Sequence, residues 1–470
     1  MAQESAKEAR RPSIFGTDGV RDRAGEGYLR NESIDRIVSA AAFVLADRKR
    51  FPEDFPPGRG TTVVVARDTR ASGADIHRVV ERGFSRFGYT VADLGVLPTP
   101  GAAYIASLWP EATLGVVISA SHNPAEYNGI KFLAPTGAKI SPQFEAAVSD
   151  AYWSGSSTAP AASPAIPADR AREGREAYVE RLVSCCRRPN RLRGKTVALD
   201  TAHGAAFEVA PEVFRRLGMH VAAMGNAPDG LNINERSGAL HPEGLGTLVL
   251  RAGAAVGFCF DGDADRMIPV TRTGAILDGD FVLCLAGRSL HRDGKLPNET
   301  VVATSMSNIG LELALKDVGV RLLRTDVGDR NVYIEMVDGR HPLGGEQSGH
   351  VIFLEDAPTG DGILAALRLL DSLEGDDLDL DRECSVMKRY PQLLKNVRVS
   401  EKVPLLDLPL VSEAVDSANR RLGGRGRIVL RYSGTEPLAR VMIEGPDAGT
   451  VAELVDRICD AIRKSLPAGA

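Results

Sequence analysis

One local pattern occurs three times along this chain: an apolar strand, a polar turn, an amphipathic helix and a second strand that ends at a glycine. The copies begin at Thr62, Thr196 and Val301, with helices predicted over 74–87, 207–217 and 309–317. Strands and helices that alternate in this way are typical of parallel strands joined by crossover helices. Ligands of such sheets bind beyond the carboxyl ends of the strands, so the polar residues at those ends are the candidates for function.

These repeats and the segments between them predict four domains. Residues 154–169 are rich in Pro, Ala and Ser, as in a linker, and the acidic stretch 371–381 indicates a boundary near 385. The predicted domains cover residues 1–165, 166–272, 273–385 and 386–470. We expect an α/β protein whose first three domains are similar to one another and have mixed sheets, followed by a C-terminal α+β domain.

The composition restricts the classes of function. The chain has 470 residues, 43% of them hydrophobic, and a net charge of −5 with acidic and basic residues interleaved, so nucleic acid is not an expected partner. No apolar run approaches the roughly 18 residues that a membrane span needs, and the N-terminal segment lacks the apolar core of a signal peptide. These features predict a cytoplasmic protein that is not bound to a membrane. The six cysteines fit neither a zinc pattern nor a disulfide framework.

Three carboxylates, Asp261, Asp263 and Asp265, directly follow the apolar segment 254–260. Alternate residues of an extended segment face the same side, and three carboxylates so close together repel one another unless a cation lies between them. Oxygen ligands of this kind suit Mg²⁺, whereas Arg266 and Arg272 exclude the calcium EF-hand loop. A solvated acidic turn is the alternative, but the apolar strand in front favours a metal site.

Ser121 follows another apolar strand, in a turn that reads Ser-Ala-Ser-His-Asn-Pro over 119–124. The Gly-x-Ser-x-Gly elbow of hydrolases is absent, and His122 is adjacent in sequence, which places it poorly as the base of a triad. Taken alone, such a turn is more often an ordinary loop. A serine that can carry phosphate, together with a site for a divalent cation, indicates phosphoryl transfer.

Two further segments carry groups that bind sugars and phosphates. Residues 343–350 place Glu346 and Ser348, which can bind sugar hydroxyls, among glycines that allow tight turns. Residues 431–440 combine guanidinium groups, hydroxyls and a glycine amide, which together can bind a phosphate. A glycine-rich turn and an exposed basic turn are the respective alternatives. The chain has no Walker sequence, and residues 67–70 are interpreted as a structural ion-pair cluster.

With these segments in this order, the chain resembles the α-D-phosphohexomutases over nearly its whole length. The matching segments are 15–21, 119–124, 261–266, 344–350 and 431–437. This resemblance implies a heart-shaped protein of four domains, with one loop from each domain meeting in a central cleft. It also implies an isomerase that works through a phosphoserine enzyme and a sugar 1,6-bisphosphate, which is both intermediate and activator.

The resemblance also implies a role for each site residue. The phosphoserine would be Ser121, and the Mg²⁺ ligands would be Ser121, Asp261, Asp263 and Asp265. The transfer centre would be lined by Arg21, Lys131, Arg266 and His350. Lys131 or His350 is our hypothesis for the group that moves the hydroxyl proton. The sugar hydroxyls would be bound by Glu346 and Ser348. The phosphate that is not transferred would be bound by Arg431, Ser433, Gly434, Thr435 and Arg440, in a fourth domain that moves.

Within the family, some features favour the members that interconvert glucosamine 6-phosphate and glucosamine 1-phosphate, an activity of amino-sugar nucleotide biosynthesis. These features are segments 229–234, 306–312 and 327–330 and residue Gln347. The expected partner is therefore a hexosamine phosphate, with glucose or mannose phosphates as the alternative substrates. A homodimer is compatible with the sequence.

The sequence departs from the family pattern in three places. Asp22 and Arg23 follow Arg21 where the family usually has Gly, which leaves open whether Arg21 or Arg23 reaches the transferring phosphate. Ala264 replaces a frequent Gly in the metal loop without loss of a ligand, and Tyr432 stands where Pro is common.

Two other classes of protein are alternatives to a mutase. A haloacid-dehalogenase-like phosphatase would use Asp261 as nucleophile and Asp263 as acid, but its motif requires Thr or Val where Asp265 stands. A sugar-phosphate-binding protein without catalysis would need neither Ser121 nor three aspartates.

Overall fold

The computed structural model describes residues 12–16, 18–155, 168–433 and 437–467. They form three mixed sheets and one antiparallel sheet, which confirms the predicted fold class. Residues 156–167 of the predicted linker lie outside the described residues. Its last two residues, Ala168–Asp169, form a short strand that joins the first sheet. The exact domain boundaries stay a prediction.

The first sheet has six strands and belongs to the first domain. Its elements in chain order are β1 (Val20–Arg23), α1 (Asn31–Ala46), β2 (Thr62–Arg67), α2 (Gly73–Arg86), β3 (Thr90–Val96), α3 (Thr99–Leu108), β4 (Ala112–Ile118), β5 (Tyr127–Leu133), α4 (Pro142–Ser154) and β6 (Ala168–Asp169). The strand order is β1-β5-β4-β2-β3-β6, with β5 antiparallel to both neighbours and the remaining pairs parallel. Strand β2 is a buried Val-rich run, as expected for a central strand covered on both faces.

The second and third sheets have four strands each. The second domain contains α5 (Ala171–Cys185), β7 (Thr196–Asp200), α6 (Val209–Arg216), β8 (His220–Met224), α7 (Glu243–Ala252), β9 (Val256–Phe260) and β10 (Met267–Thr271). The third contains α8 (Gly279–Arg292), β11 (Thr300–Thr304), α9 (Ile309–Lys316), β12 (Arg321–Thr325), α10 (Asp329–Gly339), β13 (Leu343–Gly345), β14 (Val351–Phe353), α11 (Gly362–Ser372) and α12 (Leu380–Glu383). The strand orders are β10-β9-β7-β8 and β12-β11-β13-β14.

The fourth sheet is antiparallel and has the order β15-β17-β16. Its domain contains β15 (Gln392–Arg398), α13 (Pro409–Leu422), β16 (Arg427–Tyr432), β17 (Leu438–Glu444) and α14 (Ala448–Ser465). Helix α13 ends at Gly423 in the left-handed conformation, a common helix stop. This domain has a hydrophobic core of its own, whereas one continuous core connects the first three domains.

The same connectivity recurs in the first three sheets and decides where the loops of interest lie. The predicted strand–helix–strand units are confirmed as β2-α2-β3, β7-α6-β8 and β11-α9-β12. In each sheet a third parallel strand lies on the other side of the first and then pairs with an antiparallel strand. The candidate loops occupy these three equivalent hairpins, β4–β5, β9–β10 and β13–β14. The candidate anion-binding loop lies in the hairpin β16–β17.

Among the described residues, no helix combines the length and the apolar character that crossing a membrane requires.

Candidate active site

Ser121 and the carboxylate loop contact each other directly. The side chain of Ser121 is buried, and its Oγ donates a hydrogen bond to Oδ2 of Asp261 at 2.7 Å. The loops also meet through their backbones, because a Cβ at Gly262 would lie 2.5 Å from the carbonyl oxygen of Ser121. Asn234 of the second domain donates to that same carbonyl at 2.9 Å. The first two hairpins therefore form one surface around the serine hydroxyl.

Ser121 has a φ of 51°, in the left-handed region that residues with a side chain seldom adopt. With this conformation Nδ1 of the neighbouring His122 lies 3.3 Å from Oγ of Ser121, a contact that the sequence did not predict. Burial and the positive charges of Arg266 and Arg21 lower the pKa of His122 to about 4. The ring is therefore neutral at pH 7. Since the single proton of the serine hydroxyl is directed at Asp261, the contact with His122 is a hydrogen bond when Nδ1 carries the ring proton and donates it to Oγ.

The Ser121 loop is fixed by a buried ion pair at the end of β2. Asp68 accepts hydrogen bonds from Nε of Arg70 at 2.9 Å and from Oγ of Ser119 at 2.7 Å. Arg70 also donates to four backbone carbonyls of the loop, those of Ser121, Asn123, Pro124 and Tyr127. The sequence interpretation of residues 67–70 as a structural cluster gave no sign of this contact, because the loop lies more than 50 residues away.

The three aspartates have the properties of a cation site. One ligand oxygen from each of Asp261, Asp263 and Asp265 lies within 4.8 Å of the others, and all three residues are buried. Burial and the charges of Asp265 and Asp263 raise the pKa of Asp261 well above its usual value. Oδ1 of Asp263 and Oδ1 of Asp265 are buried and have no hydrogen-bond partner among the described residues. The carboxylates thus fit a hard divalent cation such as Mg²⁺.

Lys131 connects this cluster to the first domain. Its Nζ lies 2.8 Å from Oδ2 of Asp263 and 2.8 Å from Oδ2 of Asp18. Burial alone would lower the pKa of Lys131, but the carboxylates of Asp18 and Asp263 reverse that effect and raise it. Thr99 donates to the same oxygen of Asp263 at 2.6 Å. Lys131 is therefore a charged group held beside the candidate metal site.

Contacts between carboxylates and basic side chains continue from Lys131 and Asp18 into the third domain. Lys139 contacts Oδ1 of Asp18 at 2.7 Å and also pairs with Asp329 at the start of α10. Nε2 of His350 lies 3.7 Å from Asp329, and its Nδ1 lies 3.6 Å from Oδ2 of Asp265. Burial opposes a charge on His350, yet the carboxylate of Asp265 raises its pKa above 6.5. Together with Asp263 and Lys131, these residues form a chain of contacts across three domains in which carboxylates and basic groups alternate, from Asp263 at one end to Asp265 at the other.

Arg21 and Arg23 have different surroundings, although both lie on β1. The guanidinium of Arg21 pairs with Asp18 and influences His122, which places it beside the Ser121 loop. Arg23 is half exposed, lies 3.8 Å from Glu126 and covers the ring of Tyr127. Arg266 follows the three aspartates in the same hairpin, with its Nε 3.8 Å from Oδ1 of Asp265. Arg21 rather than Arg23 thus lies beside the serine.

The hairpin β13–β14 brings Glu346 and Ser348 to the same cleft. Glu346 is half-buried and accepts a hydrogen bond from the backbone nitrogen of Gly328 at 3.2 Å. Ser348 is exposed and donates to Glu346 at 3.5 Å. Gly349 has a φ of 94°, and a Cβ there would lie 2.5 Å from the carbonyl oxygen of Met267 in the second domain. Only glycine fits this close approach, which seats the loop against the carboxylate hairpin.

In the fourth domain, Arg431 and Arg440 face each other directly across β16 and β17. Burial and the charge of Arg440 lower the pKa of Arg431. Arg440 also donates to Oγ of Ser433 at 3.4 Å. Two guanidinium groups at directly opposite positions repel each other, and a bound anion removes that repulsion. Gly434 and Thr435, which the sequence assigns to the same loop, lie outside the described residues.

Comparison with known proteins identifies the family. Four family models, all described as phosphoglucomutase/phosphomannomutase, match successive parts of the chain: domain I matches 12–159, domain II 176–274, domain III 278–390 and the C-terminal domain 394–461. The chain belongs to the phosphoglucomutase/phosphomannomutase family. The resemblance to the α-D-phosphohexomutases is thereby confirmed.

Relatives and solved structures agree with this family assignment. A protein of Pelotomaculum thermopropionicum named phosphoglucosamine mutase is 42% identical over 96% of this chain and 99% of its own length. One of the same name from Symbiobacterium thermophilum is 42% identical over 97% of this chain and all of its own. Among solved structures, a phosphoglucomutase/phosphomannomutase family protein from Burkholderia thailandensis has a TM-score of 0.77 at 22% identity, covering 97% of this chain and 98% of its own. At 22% identity, the similarity to this solved structure concerns the fold alone.

The structure shows what two departures of this phosphohexomutase from the family pattern change: one carries a backbone cost and the other adds a contact. Ala264 has a φ of 56°, so the frequent Gly of the metal loop is replaced where the backbone is left-handed, at an expected cost of about 1–2 kcal/mol. The flanking aspartates remain together, so the predicted retention of the ligands agrees with the geometry. Tyr432 donates its hydroxyl to the carbonyl of Val403 at 2.6 Å, an anchor that Pro could not supply.

We predict that Arg70→Met lowers kcat of this phosphohexomutase by about a hundredfold, because the loop that holds Ser121 would lose four carbonyl contacts and shift by a fraction of an ångström or more. Steady-state kinetics would measure the effect. Arg67→Met is the matched control: Arg67 lies at the end of the same strand but contacts Asp93, so its kcat should stay within about twofold of wild type. An unchanged kcat in Arg70→Met would contradict the positioning role.

Proposed function

We propose that this enzyme interconverts glucosamine 6-phosphate and glucosamine 1-phosphate, with Ser121 as the phosphoserine and a sugar 1,6-bisphosphate as intermediate. The chemistry is supported by one observation above all: the buried hydroxyl of Ser121 donates to Asp261 within a cluster of three carboxylates. The amino-sugar substrate is supported by the relatives named phosphoglucosamine mutase, which match nearly the whole chain. A solved Aspergillus fumigatus N-acetylphosphoglucosamine mutase in complex with GlcNAc-6P and magnesium has a similar fold, with a TM-score of 0.62, 18% identity and 96% coverage of this chain and 95% of its own.

In the proposed first step, the bond between phosphorus and Oγ of Ser121 breaks while a bond forms from phosphorus to the free hydroxyl oxygen of the sugar phosphate. The hydroxyl proton leaves to a base of the site, and Oγ of Ser121, which keeps the electron pair of the broken bond, takes up a proton and becomes a hydroxyl again. The resulting bisphosphate turns over, and its other phosphoryl group returns to Ser121. Arg21, Lys131 and Arg266 surround the transfer position with positive charge, and such charge stabilises the transferring group mainly by position.

Asp261, Asp263 and Asp265, together with an oxygen on Ser121, would hold Mg²⁺ in this proposal. When bound, the ion offsets negative charge on the transferring phosphoryl group. Thr99 and Lys131 keep Asp263 in place by contacts at 2.6 and 2.8 Å to its Oδ2, which leaves Oδ1 for the cation.

The surroundings of the two candidate bases favour His350 as the group that moves the hydroxyl proton. Lys131 lies between two carboxylates that hold its proton, so it stays charged and serves the electrostatic role. The carboxylate of Asp265 raises the pKa of His350 too, but an imidazole is in general a readier carrier of protons than an ammonium group held between two carboxylates. The backbone nitrogen of Gly360 donates to its Nε2 at 3.1 Å and fixes the ring.

The distal phosphate of the substrate would bind to Arg431, Ser433 and Arg440, together with Gly434 and Thr435. Glu346 and Ser348 would bind the sugar hydroxyls. A bisphosphate that reacts at either end must be held in two orientations, which agrees with an anion site placed on a domain with its own core. We further propose that the enzyme works in the cytoplasm.

The substrate is tested by phosphorus NMR on the purified protein with Mg²⁺ and a trace of sugar bisphosphate. Glucosamine 6-phosphate, glucose 6-phosphate and mannose 6-phosphate are supplied in parallel, and glucosamine 1-phosphate should form fastest. Faster conversion of glucose or mannose phosphate would instead support the second candidate, which is favoured by the description of the family models. Release of free phosphate alone would contradict any mutase.

We expect Ser121→Ala to abolish mutase turnover while the protein stays folded, because it removes the hydroxyl that donates to Asp261 and would carry the phosphoryl group. Turnover is measured with sugar bisphosphate present, and intact-protein mass spectrometry detects the phosphoryl group on the wild type. Ser184→Ala, at an exposed hydroxyl on α5, is the control and should behave as wild type. Full activity of Ser121→Ala would rule out the phosphoserine.

We expect Asp263→Asn to raise the Mg²⁺ concentration that gives half-maximal activity by at least about tenfold, because a neutral amide is a poorer ligand for a hard cation. A Mg²⁺ titration of activity measures the change. Asp150→Asn, at an exposed position on α4, is the matched control and should leave the titration unchanged. If both variants titrate like the wild type, the metal site is elsewhere.

A further inference from the structure

Asp280 is a buried carboxylate between Gln347 and the segment 306–312, two features of the sequence that favoured an amino-sugar substrate. Neither feature has a role in the mechanism proposed above. Asp280 is the second residue of α8 and is fully buried. Its Oδ2 accepts a hydrogen bond from the side-chain amide of Gln347 at 3.2 Å and from the backbone nitrogen of Asn308 at 2.7 Å. We call the loop of the hairpin β13–β14, which carries Glu346 and Ser348, the sugar loop. One oxygen of Asp280 thus connects the sugar loop with the segment that begins α9.

The Asn308 side of this connection continues into the fourth domain. The side chain of Asn308 donates to the carbonyl of Tyr390 at 2.9 Å and accepts from its backbone nitrogen at 3.0 Å, just before β15. The next residue, Ile309, donates its backbone nitrogen to Glu444 of β17 at 2.7 Å. A Cβ at Gly310 would lie 2.0 Å from the carbonyl of Lys388, so the two segments are in close contact.

The Gln347 side is packed equally closely. The backbone nitrogen of Gly279 donates to the carbonyl of Gln347 at 3.0 Å, and a Cβ at Gly279 would lie 2.1 Å from the carbonyl of Glu346. The amide of Gln347 is therefore held by α8, next to the two residues proposed to bind sugar hydroxyls. Burial and the neighbouring Asp278 raise the pKa of Asp280 to about 7, because ionising a carboxylate at this position costs free energy.

We propose that Asp280 is a positioning residue, which links the sugar loop to the segment 388–390 that leads into the fourth domain. The hydroxyl-binding residues and the distal anion site are thereby held at the spacing that one substrate requires. The sugar loop carries Glu346 and Ser348, and the fourth domain carries Arg431 and Arg440. A hexosamine phosphate touches both, so its affinity depends on their relative position. Gln347 then contributes to substrate choice through Asp280 rather than by contact with the sugar.

The kinetic test compares Asp280→Ala with Asp280→Asn. Alanine removes both hydrogen bonds and should raise KM for the sugar phosphate by about tenfold, the effect of one hydrogen bond to a charged group, with kcat changed less than about twofold. Both bonds end on Oδ2, so an asparagine whose carbonyl oxygen replaces it keeps them and should restore KM. Asp293→Ala, an exposed carboxylate beyond the other end of α8, is the matched control and should leave KM unchanged.

A second pair of variants tests the contact with Gln347. Gln347→Glu places one carboxylate against another and should raise KM at least as much as Asp280→Ala. Adding Asp280→Asn removes the repulsion between the two carboxylates and should recover part of the loss. The recovery should stay partial, because both native bonds end on Oδ2 and an amide at that position cannot donate to the new carboxylate while it accepts from Asn308. No recovery in the double variant, or a KM of Asp280→Ala equal to that of wild type, would overturn the proposal.

These kinetic measurements rest on the proposed function. A measurement without substrate therefore tests the connection through Asp280 separately from that function. Hydrogen exchange followed by mass spectrometry should show faster exchange in Asp280→Ala at both 344–350 and 305–310, with β2 unchanged. Wild-type protein that converts no sugar phosphate, with both segments still responding, would refute the function and keep the connection. Normal turnover, with only one segment responding, would refute the connection alone.

Discussion

The burial of three aspartates within 4.8 Å of one another is the constraint on which the rest of this structure depends. Each buried ion costs several kcal/mol unless opposite charge and hydrogen bonds offset it. The offset comes from separate parts of the chain: Lys131 from the first domain, Arg266 from the carboxylate hairpin and His350 from the third domain. Because Lys131 and His350 come from different sheets than the carboxylates, the complete site exists only when the first three domains are docked. The continuous hydrophobic core across these domains has the same consequence.

The fourth domain follows a different rule. Its core is its own, and its contacts with the third domain include hydrogen bonds, such as those of Tyr390 with Asn308, of Glu444 with Ile309 and of Arg427 with Ser307. Polar contacts of this kind exchange for water at a small net cost, unlike an apolar core. The movement that we propose for the fourth domain, so that a bisphosphate can react at either end, would break and re-form these contacts while the transfer centre stays intact.

The sequence predicted those parts of the site that depend on local spacing, and it could not predict the contacts between distant segments. Three aspartates at alternate positions after an apolar strand indicate a cation site, because strand geometry alone brings them to one side. Nothing local shows that Arg70 binds the carbonyls around Ser121, or that Lys139 pairs with Asp329, 190 residues further along. The left-handed backbone of Ser121, which brings His122 against the hydroxyl, is likewise set by the surrounding fold. The sequence pattern predicted the repeated strand–helix–strand units, but only the structure shows the hairpin that follows each unit.

The opposed arginines of the fourth domain show how binding and stability are connected. Like charges at directly opposite positions of an antiparallel pair are destabilising, and Arg431 and Arg440 occupy such positions on β16 and β17. The lowered pKa of Arg431 reflects the same repulsion together with burial. A dianionic phosphate between them turns repulsion into two charge-assisted contacts, so the ligand stabilises the sheet that binds it. In the proposed mechanism, a sugar phosphate bound both by these arginines and by Glu346 and Ser348 would use this free energy to hold the fourth domain in one orientation. Release of the distal phosphate would then free the domain, so that the bisphosphate could present its other end.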